Sequence, residues 1–277
     1  MTTSQAAQAA SWPLDLPVQT FVWPAEQPRA SLLLAHGFGE YSERYARLIR
    51  QLNTAGYSVY GYDHRGHGRS QGRRAVVDVR QLVQDHIAAR AALAGVVQGP
   101  LFAFGHSLGG LVTAASLLQD PRGVAGAVLS SPALLVGVNE PAWLKQVGRV
   151  LARIAPGMAI TELPTAGLSR LAEEVSAYEQ DPQMYHGRVP ALTAISMLRV
   201  SEGLWPGVSR WRLPTLIVHG DADQLTDVNG SRRFYAGISS LDKTYHEEPG
   251  GYHELFNDTV RDDITARLLG WLDAHTA

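Results

Sequence analysis

The chain has 277 residues, 45% of them hydrophobic, and a formal net charge of −2 at pH 7. This length and composition allow a large buried core in one α/β domain with an insertion. The near-neutral charge provides no basic surface of the kind that binds nucleic acid, so we expect no nucleic-acid partner. The lack of cysteine excludes disulfides, thiolate nucleophiles and thiolate-bound metals.

No stretch of the sequence approaches the ~20 apolar residues of a membrane-spanning helix. Residues 1–11 also lack the basic and apolar regions of a signal peptide. We therefore expect a cytoplasmic protein, and we expect any contact with membranes to be peripheral.

Short apolar runs alternate with segments of helical periodicity along most of the chain. The runs predict strands at residues 17–23, 30–35, 57–62, 101–105, 124–129, 214–219 and 243–247. Apolar spacings of three and four residues predict helices at residues 45–52, 76–93, 108–118, 141–154 and 260–272. Strands that alternate with helices predict an α/β fold with a mostly parallel central sheet flanked by helices.

The interval of residues 131–213 breaks this alternation and has the pattern of several short helices. We expect a core domain of residues 1–134 and 206–277, and a helical cap (lid) of residues 135–205 inserted after the sixth strand. Ligands bind at the carboxyl ends of the strands in open α/β sheets. A cap at that edge would therefore cover the functional site.

One serine lies where a predicted strand passes into a predicted helix. Ser107 is flanked by Gly105 and Gly109 in a G-x-S-x-G pattern, which is typical of a nucleophile elbow. Such a turn brings the two backbones together and holds the serine in strained φ and ψ angles, where β-carbons on the flanking residues would clash. The sequence therefore predicts a serine nucleophile at the top of the sheet.

A serine hydroxyl becomes a good nucleophile when a base takes its proton and a carboxylate orients that base. His253 follows a tight turn after the last predicted strand, and Asp223 follows the strand that ends at His219, in the chain order that this chemistry requires. Asp221 and Asp227 are the alternatives for the carboxylate, although each could instead cap a turn or a helix. The remaining candidate histidines are expected to stabilise turns, support the site or line its rim, and they are His36, His64, His67, His106 and His219.

Two backbone amides are needed to stabilise the negative charge that develops on the substrate oxygen. Leu108 directly follows the nucleophile, and Phe38 lies in the glycine-flanked loop after the strand of residues 30–35. We expect the N–H groups of these two residues to form the oxyanion hole. The alternative for the loop around Phe38 is a plain tight turn.

Several motifs make the chain similar to one branch of a known superfamily. They are HGFGEYSERY at 36–45, DHRGHGRS at 63–70, GHSLGG at 105–110, YEQDP at 178–182, GDAD at 220–223 and GYH at 251–253. Over nearly its whole length the chain resembles the monoacylglycerol lipase branch, often labelled lysophospholipase-like, of the α/β-hydrolase superfamily. The first motif and YEQDP are the ones more specific to the branch.

The resemblance implies an α/β-hydrolase fold and assigns the same nucleophile, base, carboxylate and oxyanion amides as the residue patterns do. It also implies a glycerol headgroup site formed by Glu40, Arg44, His106 and Tyr178, with no metal and no cofactor. Some members of the family have a second polar histidine three residues after the catalytic one. This chain has Phe256 at that position.

These observations predict a serine hydrolase that cleaves the ester bond of monoacylglycerols to fatty acid and glycerol through an acyl-enzyme. The expected partner is therefore a small-molecule lipid ester. The alternatives are a broader carboxylesterase, lysophospholipase or thioesterase with the same triad and, more remotely, a hydrolase-fold protein that binds ligands without catalysis. The sequence leaves the oligomeric state open.

The predicted helix of residues 141–154 combines an apolar stripe with a basic one. The apolar residues are Trp143, Leu144, Val147, Val150, Leu151 and Ile154. The basic residues are Lys145, Arg149 and Arg153. This pattern predicts peripheral contact with a membrane or micelle through the cap, the alternative being that the apolar stripe packs on the core domain. The cap methionines are expected to line an acyl-chain tunnel or to fill gaps, and they are Met158, Met184 and Met197.

Overall fold

A seven-stranded sheet forms the centre of the computed structural model, which describes residues 11–137 and 141–276. In chain order the strands are β1 (Thr20–Trp23), β2 (Ala30–Ala35), β3 (Tyr57–Tyr62), β4 (Leu101–His106), β5 (Gly126–Ser130), β6 (Ala159–Thr161), β7 (Val189–Pro190), β8 (Thr215–Gly220) and β9 (Lys243–Glu248). The α-helices are α1 (Ala46–Thr54), α2 (Val79–Leu93), α3 (Leu108–Gln119), α4 (Ala142–Ile154), α5 (Ala172–Gln180), α6 (Ala191–Leu204), α7 (Val228–Gly237) and α8 (Arg261–Ala274). Short 3-10 helices cover Ser42–Tyr45, Thr165–Gly167, Trp205–Arg210 and Leu255–Asn257.

None of the helices in this described part of the chain is long and apolar enough to span a membrane. The expectation that the chain lacks a signal peptide rests on residues 1–11. Residues 1–10 lie outside the described part of the chain.

The strands of the large sheet are ordered β1-β3-β2-β4-β5-β8-β9. All neighbouring pairs are parallel except β1 and β3, so the predicted α/β fold with a mostly parallel sheet is confirmed. One detail of the prediction is wrong. The insertion follows β5, the fifth described strand, because β1 is the only strand that precedes β2 within residues 11–29.

Helices cover both faces of the sheet, which explains why the central strands are continuous apolar runs. Phe102 and Phe104 point to the face covered by α1 and α8, and Ala103 points to the face covered by α2, α3 and α7. All six residues of β2 and all six of β4 are buried. Burial of each large apolar side chain contributes roughly 1.5–3 kcal/mol, which makes these strands the rigid base of the site.

The order of the strands reverses between β2 and β4. From β2 the chain crosses to β3 on one side, and it then returns to β4 on the other side. Ala35 at the end of β2 pairs with Gly105 near the end of β4, so the loops that follow these strands lie side by side. Such a switch point is where open α/β sheets bind their ligands.

The elements between β5 and β8 are helices and two short strands that lie outside the large sheet. The helix α6 packs against α3 of the core and against α4, while β6 and β7 form a two-stranded antiparallel sheet. Two hydroxyl groups of α6 accept backbone hydrogen bonds from the start of α2: Thr193 Oγ1 from Val77 N (3.0 Å) and Ser196 Oγ from Val79 N (3.0 Å). These bonds fix this end of α6 to the core.

Candidate active site

Ser107 occupies a sharp turn between β4 and α3. Its backbone has φ 54° and ψ −117°, a combination that L-residues rarely adopt. Its N–H donates to Ser130 O at 2.9 Å, and its carbonyl accepts from Leu111 N at 3.1 Å and Ala133 N at 3.0 Å. These three bonds hold the strained conformation, as is common for residues at active sites.

Gly105 and Gly109 leave no room for a β-carbon, because neighbouring backbone atoms lie very close to them. A β-carbon on Gly105 would lie 2.4 Å from Gly109 O, and one on Gly109 would lie 2.1 Å from Ala35 O. The loop after β2 also lies close to the turn, because a β-carbon on Gly37 would lie 3.2 Å from Ser107 Cβ. The turn therefore brings the serine directly against the loop predicted to supply an oxyanion amide.

His253 and Asp223 form a buried hydrogen-bonded pair. His253 Nδ1 lies 2.7 Å from Asp223 Oδ2, and the side chain of Asp223 is fully buried. The other carboxylate oxygen, Oδ1, accepts from the backbone N–H groups of Leu225 (2.7 Å) and Thr226 (3.0 Å). The carboxylate is thus fixed from several directions, and it fixes the imidazole in turn.

The surroundings favour charge on both members of this pair. Burial would raise the pKa of Asp223, but His253 and His219 outweigh it and hold that pKa well below its usual value. Burial would likewise lower the pKa of His253, but the charge and hydrogen bond of Asp223, aided by Glu254 and Glu40, raise it above 6.5. Asp223 therefore stays ionised and can stabilise an imidazolium on His253.

The alternative carboxylates have separate structural duties. Asp221 Oδ1 accepts from Gly250 N at 2.6 Å and stabilises the turn before His253. Asp227 is the N-cap of α7 and accepts from Asn229 N at 2.9 Å. These contacts are the turn and helix caps that the sequence left open for the two residues.

Three of the other histidines form a buried cluster under the loop after β2. The ring centroids of His36 and His64 are 4.3 Å apart, and those of His36 and His67 are 5.6 Å apart. Burial lowers the pKa of His64 to about 3 and that of His67 to about 4. Both imidazoles are therefore neutral at neutral pH. His36 Nε2 accepts from His64 N at 2.9 Å, which makes this cluster a support for the loop.

Ser107 and His253 line one cavity of about 440 Å³, together with Phe38 and Leu108. Leu108 is the first residue of α3, and the amides of a first helical turn have no intrahelical acceptor. The two predicted oxyanion residues and the predicted nucleophile and base are thus brought together around one space.

The cavity has a polar part that contains Glu40, Tyr178 and Glu254. Arg44 Nη2 donates to Glu254 Oε2 at 2.5 Å, and its Nε lies 3.7 Å from Glu40 Oε2. The guanidinium also lies 5.2 Å from the ring centroid of Tyr178. Of the predicted headgroup residues, Glu40 and Tyr178 line the cavity, whereas Arg44 is not a lining residue and contacts Glu40 and Glu254. The sequence analysis missed Glu254, for which adjacency to His253 was the available signal.

Burial and the nearby charge of Glu254 raise the pKa of Glu40 to about 7, although Arg44 opposes the shift. Glu40 Oε1 accepts hydrogen bonds from Tyr45 Oη at 2.6 Å and from Gly37 N. Glu40 therefore braces the loop after β2, and it takes up or loses its proton near neutral pH.

His106 and Phe256 differ in their relation to the site. His106 lines the cavity, with its ring centroid 4.7 Å from that of His253 and its Nδ1 3.1 Å from Ser130 Oγ. Phe256 is buried in the core, where its ring lies 5.5 Å from that of Phe104. The position at which some relatives have a polar histidine is thus an apolar core position in this chain.

The cavity also has an apolar part, to which α4 and α6 contribute side chains. Leu144, Leu151, Ile195 and Leu198 are among its lining residues. The cap methionines divide between the two roles expected of them: Met197 lines the cavity, the burial of Met184 fits a gap-filling residue, and Met158 fits neither. Met184 is buried elsewhere and Met158 is 47% exposed.

A family model described as Hydrolase_4, serine aminopeptidase S33, matches residues 26–260. The chain belongs to this family. The matched residues contain the strands β2 to β9, the insertion between β5 and β8 and all the residues that line the cavity.

Three similar proteins are lipases by name. The monoacylglycerol lipase of Mycolicibacterium smegmatis is 35% identical over 261 residues, which are 92% of this chain and 92% of that protein. The monoglyceride lipase of Rattus norvegicus is 31% identical over 262 residues, which are 92% of this chain and 86% of that protein. The crystal structure of Paleococcus ferrophilus monoacylglycerol lipase has a TM-score of 0.84 and 32% identity, and the match covers 94% of this chain and all of that one. The predicted resemblance is confirmed.

Proposed function

We propose that the protein hydrolyses monoacylglycerols to fatty acid and glycerol through an acyl-enzyme at Ser107. The observation that carries the proposal is the position of Ser107 and His253 in one cavity that is lined both by polar side chains, Glu40 among them, and by apolar side chains of α4 and α6. A monoacylglycerol has the same division between a small polyol and a long acyl chain. The similar lipases named above support the same substrate class.

In the proposed mechanism, His253 takes the hydroxyl proton of Ser107 as the oxygen attacks the ester carbonyl. Asp223 holds the imidazole in the productive tautomer and stabilises its positive charge. The amides of Phe38 and Leu108 donate to the oxyanion of the tetrahedral intermediate. His253 then protonates the departing glycerol oxygen, and a water molecule activated by the same imidazole releases the fatty acid.

We assign the glycerol to the polar part of the cavity and the acyl chain to the apolar part. Tyr178, Glu40 and Glu254 are the polar lining groups expected to bind the free hydroxyls of glycerol, and Arg44 holds the two carboxylates in position. Leu144, Leu151 and Leu198 offer a surface that matches methylene groups. Residues 135–205 would then act as the cap that closes the apolar part.

The outer surface of α4 supports contact with a lipid surface. Trp143 is 68% exposed and Ile154 is 74% exposed, and Val147 and Val150 lie between them on the same helical face. Leu144, Leu151 and the half-exposed Val147 also line the cavity, so the apolar residues of the helix serve two surfaces. Arg149 and Arg153 flank the outer face, where they would meet anionic headgroups.

The test of the proposed function is a substrate panel at matched acyl length: a monoacylglycerol, a diacylglycerol, a lysophospholipid and a p-nitrophenyl ester. We expect the monoacylglycerol to have the highest kcat/KM among the glycerolipids. A lysophospholipid or diacylglycerol that is turned over faster would contradict the assignment. Ser107→Ala is the control for the catalytic residue in each assay.

A further inference from the structure

A second histidine contacts the carboxylate of the proposed triad. His219 Nε2 lies 3.2 Å from Asp223 Oδ2, the same oxygen that lies 2.7 Å from His253 Nδ1. Both His219 and the Asp223 side chain are fully buried. The carboxylate is therefore shared between two imidazoles in a site with little access to water.

The other nitrogen of His219 determines which tautomer is present. His219 Nδ1 lies 2.7 Å from Ser231 Oγ on α7. An ionised carboxylate can only accept hydrogen bonds, so the His219 Nε2 that faces Asp223 carries the proton. Nδ1 then accepts from the hydroxyl of Ser231, and the ring is held between β8 and α7.

The hydroxyl of Thr226 does not replace this contact. Thr226 Oγ1 lies 2.8 Å from Asp223 Oδ2, but it also lies 3.1 Å from Ser131 O, and its single proton can satisfy one of the two at a time. His219 Nε2 also lies 3.3 Å from Thr226 Oγ1, so its N–H is shared between that hydroxyl and Asp223 Oδ2 at 3.2 Å. Donors to a carboxylate lower its proton affinity and reduce the charge that it presents to any one partner.

We infer that His219 is a positioning residue, which holds Asp223 and limits how strongly this carboxylate attracts the proton of His253. The inference rests on the triad proposed above. A general base works best when its pKa lies near the operating pH, and Asp223 with a single imidazole partner would hold the His253 proton more tightly. With His219 in place, His253 returns that proton to the leaving alcohol more readily.

Other charged and titratable groups lie around this pair on every neighbouring element. His106 faces His253 from β4, and Glu247 of β9 is the strand partner of His219. Three further charged groups lie around this pair. They are Glu40 in the loop after β2, Arg44 in the 3-10 helix Ser42–Tyr45 and Glu254 in the loop after β9. None of these groups is changed by the variants below, so a shift between variants reports the contact of His219 with Asp223.

The test is the pH profile of kcat/KM on a soluble ester for wild type, His219→Leu, His219→Gln and Ser231→Ala. We expect His219→Leu to move the acidic limb upward by about 0.5–1 pH unit and to lower kcat roughly tenfold, with little change in KM. His219→Gln keeps a donor at the Nε2 position and should retain the wild-type limb. Ser231→Ala removes the group that fixes the tautomer and should shift the limb the same way by less.

His86 provides a matched control. It is also fully buried, and its Nδ1 lies 2.7 Å from Ser116 Oγ in the core between α2 and α3. We expect His86→Leu to lower Tm without moving the limb. The inference is overturned if the limb of His219→Leu coincides with that of the wild type, if His86→Leu shifts it equally, or if His219→Gln behaves as His219→Leu.

If His219→Leu does not fold, Ser231→Ala decides, and an unchanged limb in that variant overturns the inference. Failure of the proposed function would have a different signature. Ser107→Ala that retains wild-type ester hydrolysis contradicts the function itself, whereas an inactive Ser107→Ala with coincident profiles in the other variants contradicts only the role of His219.

Discussion

Arg44 and Glu254 form a buried ion pair at 2.5 Å, which connects the loop after β2 to the residue that follows His253. Both side chains are less than 10% exposed. Asn257 Nδ2 also donates to Glu254 Oε2 at 2.9 Å, so the carboxylate is held from two sides. This ion pair therefore links the proposed glycerol site to the chain segment that carries the proposed base.

We expect Glu254→Gln to weaken glycerol recognition more than bond cleavage. The amide is neutral, so it would hold the Arg44 guanidinium less firmly and leave its position less defined. KM for a monoacylglycerol should rise roughly tenfold, while KM for a p-nitrophenyl ester of the same acyl length stays nearly constant. Equal changes on the two substrates would remove the headgroup role, and Glu43→Gln, a nearby carboxylate change outside this pair, is the control.

Asp223→Asn should lower kcat by about 10⁴, because an amide favours the wrong tautomer of His253. Asp221→Asn and Asp227→Asn should keep activity within a few-fold, since those side chains cap a turn and a helix. Steady-state kinetics of the three variants on one soluble ester decide the matter. Near-normal activity in Asp223→Asn with loss in either of the others would show that the carboxylate is misassigned.

Much of this site follows from sequence order alone. The three positions of the proposed triad all follow strands, and strand ends meet at one edge of a parallel sheet. The approach of Glu254 to Arg44 did not follow, because it depends on the irregular chain between β9 and α8. Helical spacing marked the apolar residues of α4 correctly, but it could not tell which of them face the cavity and which face outward.

Glu40 should make stability depend on pH in a defined direction. Its pKa is raised from 4.5 to about 7, so between these pH values the folded state keeps a proton that the unfolded state has lost. The protonated Glu40 carboxyl therefore stabilises the folded state fully below pH 4.5. As pH rises from 4.5 toward 7, the free energy of unfolding falls by up to about 3 kcal/mol.

Urea denaturation of wild type and Glu40→Gln at pH 5, 6, 7 and 8 tests this expectation. The difference in unfolding free energy, wild type minus variant, should fall from pH 5 to pH 7 and then level off. A difference that is constant or that grows across this range would contradict a raised pKa for Glu40. Glu43→Gln separates the loss of any carboxylate from the burial of this one.

The lipid contact of α4 is tested by reversing its basic charges. Lys145→Glu/Arg149→Glu/Arg153→Glu should lose binding to anionic vesicles at low salt, because each basic residue near such a surface contributes about 1 kcal/mol that salt screens. Activity on dispersed long-chain monoacylglycerol should fall with it, while hydrolysis of a soluble short ester is preserved.

Lys145 has a second partner, since its Nζ lies 3.3 Å from Glu202 Oε1 of α6. The double variant Arg149→Glu/Arg153→Glu keeps that contact and should show most of the loss. Arg50→Glu/Arg267→Glu, two exposed changes on α1 and α8, is the charge-matched control. Vesicle co-sedimentation that is unchanged in the α4 variants, or reduced equally in the control, would leave α4 as cap structure alone.

The proposed mechanism requires that a monoacylglycerol acylates Ser107. The most direct measurement is acid quenching of the enzyme during turnover of a long-chain monoacylglycerol, followed by mass spectrometry of the intact protein and its peptides. We expect a mass increase of one acyl group on the peptide that contains Ser107, release of glycerol in equal amount in the first turnover, and neither product with Ser107→Ala. Glycerol release by Ser107→Ala at the wild-type rate, or an acyl group attached to another residue, would contradict this mechanism.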